Sequence, residues 1–227
     1  MSPMKLLALD TSTDACSAAV YADKVIHERY QVAPRRHAQL LLSMVDAVLG
    51  ETQLNLSDLD ALAFGRGPGS FTGVRIAAAT AQGLAVGANL PVIPVSSLRA
   101  LAQTAYSARG VRRCAAAFDA RMDEVYYGAF EIDADGIARP VQNERVCLPE
   151  DLPQLPGAGW TGVGPGWEAY ELRLCARLEA SIERIFANIL PRAGDVAVLG
   201  ASGLLQGEAV SAEAALPVYL RDRVTRT

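Results

Sequence analysis

Histidine is nearly absent from this chain of 227 residues, with only His27 and His37, ten positions apart. No H-x-x-x-H or H-E-x-x-H pattern can be drawn from them, which argues against histidine-based zinc or iron catalysis. The four cysteines, Cys16, Cys114, Cys147 and Cys175, form no C-x-x-C pair. A zinc ribbon or a thioredoxin-like site is therefore not indicated, and the expectation is four small buried hydrophobes in a reducing compartment. No excess of positive charge exists either: 21 basic against 25 acidic residues give a formal net charge of −4. A protein whose main task is to grip nucleic acid through its phosphates is disfavoured by that balance. No apolar run is long enough to span a bilayer, and no signal-peptide core follows the N-terminus. These absences point to a cytoplasmic protein with no membrane partner.

What is present is apolar: 51% hydrophobic against 20% charged residues, enough burial to offset the entropy of ordering. Lys5 to Leu9 reads as a buried strand, Cys16 to Tyr21 as a second and Val25 to Val32 as a third. The short polar turns between them predict an antiparallel meander rather than a βαβ unit. Leu41, Met44, Val45, Val48 and Leu49 fall at helical spacing, predicting an amphipathic helix from about His37 to Leu49. A strand at Leu62 to Phe64 runs through a glycine-rich loop into a helix over roughly Thr72 to Gly87, crowded with Gly73, Ala77, Ala78, Ala79, Ala81, Gly83 and Ala85. Side chains that small allow close helix packing. A strand at Pro91 to Val95 and a helix from Ser96 to about Tyr106 complete a first lobe, 1–106.

The polar, basic stretch Ser107 to Arg113 marks the boundary with a smaller second lobe, 107–227, whose last residues return to the first. That half predicts strands at Cys114 to Phe118, Glu124 to Ile132, Val141 to Leu148 and Trp160 to Val163. Helices are expected at Trp167 to Leu178 and Gly194 to Leu205, with an unassigned stretch between them. The fold class is α/β, two similar lobes.

Two segments carry candidate chemistry. In L-A-L-D-T-S-T-D-A-C-S-A-A-V, residues 7–20, Asp10, Thr11 and Ser12 sit at a strand end where turn amides and hydroxyls can surround a phosphate. Asp10 is equally well read as a turn former bonding its own backbone. In G-R-G-P-G-S-F-T-G, residues 65–73, Gly67 and Gly69 open backbone angles closed to other residues, and free amides gather at a helix N-terminus. No Lys-Ser/Thr follows, so it is not a Walker A loop. A tight connection capped by Ser70 or Thr72 is favoured over direct nucleotide binding. Arg66 and Arg75 then face an anion or a partner. No G-x-S-x-G elbow occurs. The clusters Arg109, Arg112, Arg113 and Arg221, Arg223, Arg226 are read as solvated charge, with a local RNA or acidic-partner contact as the alternative.

These two segments, together with R-R-H-A-Q-L-L-L and the closing L-P-V-Y-L-R of residues 216–221, resemble the TsaB (YeaZ) family. The likeness is dense over about residues 4–106 and thin over 135–210. It implies an actin-like fold, each lobe a mixed sheet flanked by helices with the second lobe reduced. It implies a catalytic paralogue, TsaD, which places threonylcarbamoyl on tRNA adenosine, and a small ATPase, TsaE. In TsaD a V-N-H-x-E-G-H pattern supplies two metal-binding histidines. Here the similar stretch is V-S-S-L-R-A-L, 95–101, with Ser97 and Leu101 at the two ligand positions, so neither catalytic nor metal residues are expected.

The resemblance further implies an accessory subunit that pairs through its first two helices with TsaD, or with itself when alone. His37, Leu41, Met44, Val45, Val48, Val74, Ala77, Ala78, Ala81, Leu84 and Ala85 are the expected contacts. The competing expectation is that the same faces are buried on the chain's own sheet. No cofactor is expected beyond ATP or ADP at a subunit interface, and tRNA is reached through the complex. The alternatives are a stand-alone actin-like ATP-binding enzyme, a glycoprotease-like metallopeptidase and a purely structural homodimer.

Overall fold

The computed structural model describes residues 4–221. Strands β1 (Lys5–Asp10), β2 (Ala15–Ala22) and β3 (Val25–Val32) form the expected antiparallel meander. Helix α1 (His37–Thr52) leads to β4 (Ala61–Gly65), α2 (Phe71–Ala88) to β5 (Val92–Val95), and α3 (Ser97–Arg109) leaves the sheet. β4 lies parallel to β1, and β5 parallel to β4, giving the order β3-β2-β1-β4-β5.

The second half repeats the plan. β6 (Arg113–Arg121), β7 (Glu124–Ile132) and β8 (Ala138–Pro140) are antiparallel, and β10 (Trp160–Val163) and β11 (Ile182–Phe186) add in parallel, giving β11-β10-β6-β7-β8. The strand expected at 141–148 shrinks to β9 (Arg145–Cys147), paired to β7. The unassigned stretch holds β11, an edge strand whose Glu183 and Arg184 hide it from pattern reading. Helix α4 (Pro165–Leu178) covers this sheet, and α5 (Ala193–Leu205) is followed by a 3-10 turn at Ala212–Ala214.

Alternation in the strands decides where each helix goes. Leu7, Leu9, Ala18, Val20, Leu62 and Phe64 point to one face of the first sheet and meet Leu41, Val45, Val48, Ala77, Ala81 and Ala85 of α1 and α2. Leu6, Ala8, Ala19, Ala63 and Ile93 point to the other face and join α5. Likewise Cys114, Ala116, Phe118 and Phe130 meet α3, while Ala115, Ala117, Tyr127 and Ala129 meet Trp167 and Leu174 of α4. Both faces of the central strands are thus covered, so they read as continuous apolar runs.

Helix α3 follows the first sheet yet packs on the second, and α5 follows the second yet packs on the first. The two exchanged helices touch, and Thr104 and Ser107 of α3 both donate to Asp195 of α5, at 2.8 and 2.5 Å. One core therefore runs through both halves at the base of the molecule.

Among the described residues no helix is long and apolar enough to cross a membrane. Cys16 and Cys114 are buried, Cys147 and Cys175 half-buried, and all four are unpaired.

Candidate functional site

The loop of residues 65–73 is built by close approach as much as by unusual angles. Gly67 has φ +98, as expected. Gly69 does not have positive φ; glycine is required there because a Cβ would lie 2.3 Å from the Ser12 carbonyl oxygen. Gly65 and Gly73 are under the same constraint, with a Cβ falling 2.0 Å from Asp10 Oδ2 and 1.9 Å from the Thr11 carbonyl oxygen. Ser70, rather than Thr72, caps α2: its hydroxyl oxygen accepts from the Gly73 amide at 3.3 Å.

The phosphate candidates are committed to this same junction. Thr11 Oγ1 donates to the Gly73 carbonyl at 2.7 Å, and the Ser12 amide and hydroxyl both donate to Asp10 Oδ1, at 3.0 and 2.9 Å. All three residues are buried. Asp10 and Thr11 do not reach the cavity between the lobes; Ser12, Thr13 and Asp14 do. Asp10 is thus the turn former, and its second carboxylate oxygen is buried without a partner.

Burial raises the Asp10 pKa to about 6, against the lowering effect of its bonds from Ser12. The folded chain holds this proton more tightly than the unfolded chain, whose ordinary value is 3.8. Its contribution to stability therefore worsens as pH rises from about 4 to about 6 and then levels off. Asp10→Asn keeps the oxygen that Ser12 uses and removes the buried charge. Denaturant unfolding is expected to show a gain of about 3 kcal/mol at pH 7.5 that shrinks towards zero at pH 4.

Between the lobes lies a cavity of about 960 Å³. One wall is the β1–β2 turn with Gly69, Ser70 and Phe71 at the start of α2. The other is the β6–β7 hairpin, Asp119 to Met122, with Glu168 at the start of α4. Arg75 leans out from α2 with its guanidinium carbon 3.2 Å from the Phe71 ring centroid and 4.9 Å from that of Tyr219. Arg66 does not line this cavity; burial raises the Glu144 pKa, the Ser96 hydrogen bond and the Arg66 charge oppose that rise, and Arg66 Nε is buried without a partner.

The expected partner contacts need correction. Leu41, Val45, Val48, Val74, Ala77, Ala78, Ala81 and Ala85 are buried, forming with the sheet the core already described, and His37 is buried at the start of α1. Only Met44 and Leu84 of the expected set stay half-exposed. The stripe that helical spacing detects is the one the chain's own sheet covers.

What faces outward instead is Leu42, 54% exposed, on α1 and Ala79, Gly83, Val86 and Gly87 on α2. A Cβ on Gly83, Gly87 or Gly50 would meet nothing within 4 Å, so no contact inside the chain calls for glycine there.

The arginine clusters also divide. Arg109 and Arg112 are exposed, whereas Arg113 pairs with Glu131 and donates to the Pro156 and Ala158 carbonyls. Arg221 is held by carbonyls, and Arg223 and Arg226 lie outside the described residues.

At the two metal-ligand positions of the resemblance, Ser97 and Leu101 are buried. Ser97 Oγ accepts from the Gly67 amide at 3.1 Å, and Leu101 packs in the shared core. Among the described residues no three His, Cys, Asp or Glu side chains gather as a metal site.

The match to known proteins covers nearly the whole chain. It is 42% identical to the tRNA threonylcarbamoyladenosine biosynthesis protein TsaB of Escherichia coli, over 97% of this chain and 96% of that one. The chain belongs to the TsaB (YeaZ) family. The TsaB of Haemophilus influenzae is also 42% identical, over 99% of this chain and 97% of its own. A solved structure of YeaZ from Pseudomonas aeruginosa superposes with a TM-score of 0.89 at 47% identity, covering 97% of this chain and all of that one. The family model described as TsaD, tRNA N6-adenosine threonylcarbamoyltransferase, matches residues 15–226. The scaffold is therefore the actin-like one shared by TsaB and that transferase. The TsaB family belongs to tRNA threonylcarbamoyladenosine biosynthesis.

Proposed function

We propose that this chain is the accessory subunit of tRNA threonylcarbamoyladenosine synthesis, binding and activating a TsaD-type transferase without catalysing transfer itself. The observation that carries this reading is the pairing of an actin-like scaffold with an outward α1–α2 face that has no use within the chain. A Cβ on Gly83 or Gly87 would meet nothing within 4 Å, and Leu42 of α1 and Val86 of α2 are exposed. Helix-interior glycine is unfavourable by about 1 kcal/mol relative to alanine, and close approach of a second helix gives these positions a purpose.

The same elements of a TsaD-type paralogue, or of a second copy when the chain is alone, would complete a helix bundle there. Supporting the non-catalytic part, Ser97 and Leu101 are engaged in the chain's own packing at the positions where the transferase places histidines. In this reading any ATP or ADP used by the assembly binds at the junction of subunits, which the commitment of Thr11 to Gly73 and of Ser12 to Asp10 supports. A TsaE-type ATPase and tRNA join through the complex.

The test is a threonylcarbamoylation assay with purified transferase, TsaE-type ATPase, the enzyme supplying the adenylate, and unmodified tRNA. Product should depend strongly on adding this chain, while the chain alone neither hydrolyses ATP nor modifies tRNA. Equal product without it would refute the reading.

A further inference from the structure

The last described residues cross from one lobe to the other over the mouth of the cavity. From the first lobe, the Arg66 carbonyl accepts from the Val218 amide at 2.8 Å, and Gly67 leaves room for the Val218 carbonyl, which a Cβ would approach to 3.0 Å. Tyr219 then lies beside the α2 start, its ring centroid 6.0 Å from that of Phe71, with Arg75 between them.

Two residues on, Arg221 reaches the second lobe. Its guanidinium donates to the carbonyls of Ala120 at 3.0 Å and Arg121 at 3.4 Å, and pairs with Glu124 at 2.5 Å. Only 15% of the Arg221 side chain is exposed.

The hairpin it grips is strained. Arg121, Met122 and Asp123 have φ of +63, +55 and +62, three successive non-glycine residues in the left-handed region. Such a turn persists only where its surroundings hold it. Two of the holding contacts are local, the Arg121 amide and guanidinium on Asp119; α4 adds the Tyr170 hydroxyl donating to Asp119 and Arg173 4.0 Å from Asp123, and Arg221 holds the hairpin from the C-terminal segment. At the base the lobes share the α3–α5 core, which leaves this mouth as the place where they can part.

We propose that residues 216–221 are a clasp that sets the opening of the interlobe cavity. Latched on the strained hairpin through Arg221, the segment holds the lobes together and seats Tyr219 on the rim; released, it lets the hairpin relax and the cavity widen. The cleft mouth is thereby occupied by the chain's own segment. This inference is independent of which partner binds α1 and α2.

Hydrogen exchange on the full chain tests it, comparing the parent with Arg221→Ala. Arg221→Ala should speed exchange at least about tenfold at residues 119–124, at Val218 and at 66–70. It should also speed 165–169, the cavity wall that the segment does not touch, while β1 and α1 keep the parent rates. Exchange unchanged at 165–169 means a frayed hairpin without opening, and overturns the clasp. Acceleration of β1 and α1 to the same degree means general destabilisation, and overturns it equally. Should Arg221→Ala fail to fold, Glu124→Gln, which keeps the side-chain volume and removes the charge, is read by the same criteria.

Discussion

Replacing Gly83 by arginine is expected to weaken binding to a TsaD-type partner at least about hundredfold while leaving the monomer folded. Apart from the chain neighbours and the helix's own backbone, nothing lies within 4 Å of the added Cβ, so the side chain extends into solvent in the free chain. Its helix propensity exceeds that of glycine, and the monomer should be as stable as the parent or slightly more so. In a helix bundle the same side chain would bring an unpaired charge into the seam. Isothermal titration with the paralogue, alongside thermal unfolding of the free variant, reads both halves. Undiminished affinity would move the partner surface elsewhere. Arginine at Ala78, one turn away, should behave in the opposite way. Ala78 is buried against the first sheet, and the variant is expected to fail to fold.

Adding one methyl group at Gly73 is expected to destabilise the chain by about 3 kcal/mol or more. The alanine Cβ would sit 1.9 Å from the Thr11 carbonyl oxygen, and that atom is backbone, unable to swing aside. Helix α2 would have to move off the β1–β2 turn, stretching the bond from Thr11 Oγ1 to the Gly73 carbonyl. The same substitution at Gly83 should be neutral or stabilising, since that position is open and helical. Equilibrium urea unfolding of the two variants separates the explanations. Equal stability would mean that the loop tolerates displacement and that its glycines serve something other than packing.

The motif-rich first half was legible because its signals are local. Short apolar runs bounded by polar turns, the 37–49 stripe and the glycine loop each predict an element that the structure contains. The second half was less so where burial is partial: β11 carries Glu183 and Arg184 in a five-residue strand, β8 falls before the strand expected at 141–148, and only β9 remains of that strand. The site was legible as a location, and of the two readings the sequence left open for Asp10 the structure shows the turn former. Asp10 and Thr11 stand at the turn that the sequence singled out, but their polar atoms close on Ser12 and Gly73 instead of opening to a ligand.

The sequence by itself determined the α/β elements of the first lobe, the tight glycine loop, and the lack of histidine or cysteine spacing for a metal, because spacing and residue type are properties of the chain. Only the tertiary structure decided which face of α1 and α2 is free, that α3 and α5 exchange sheets, and that Arg221 locks a hairpin 100 positions away from it at the Arg121 carbonyl. An apolar stripe carries no label saying whether its own sheet or a partner covers it. That is settled by which elements compete for the same apolar surface once the chain has folded.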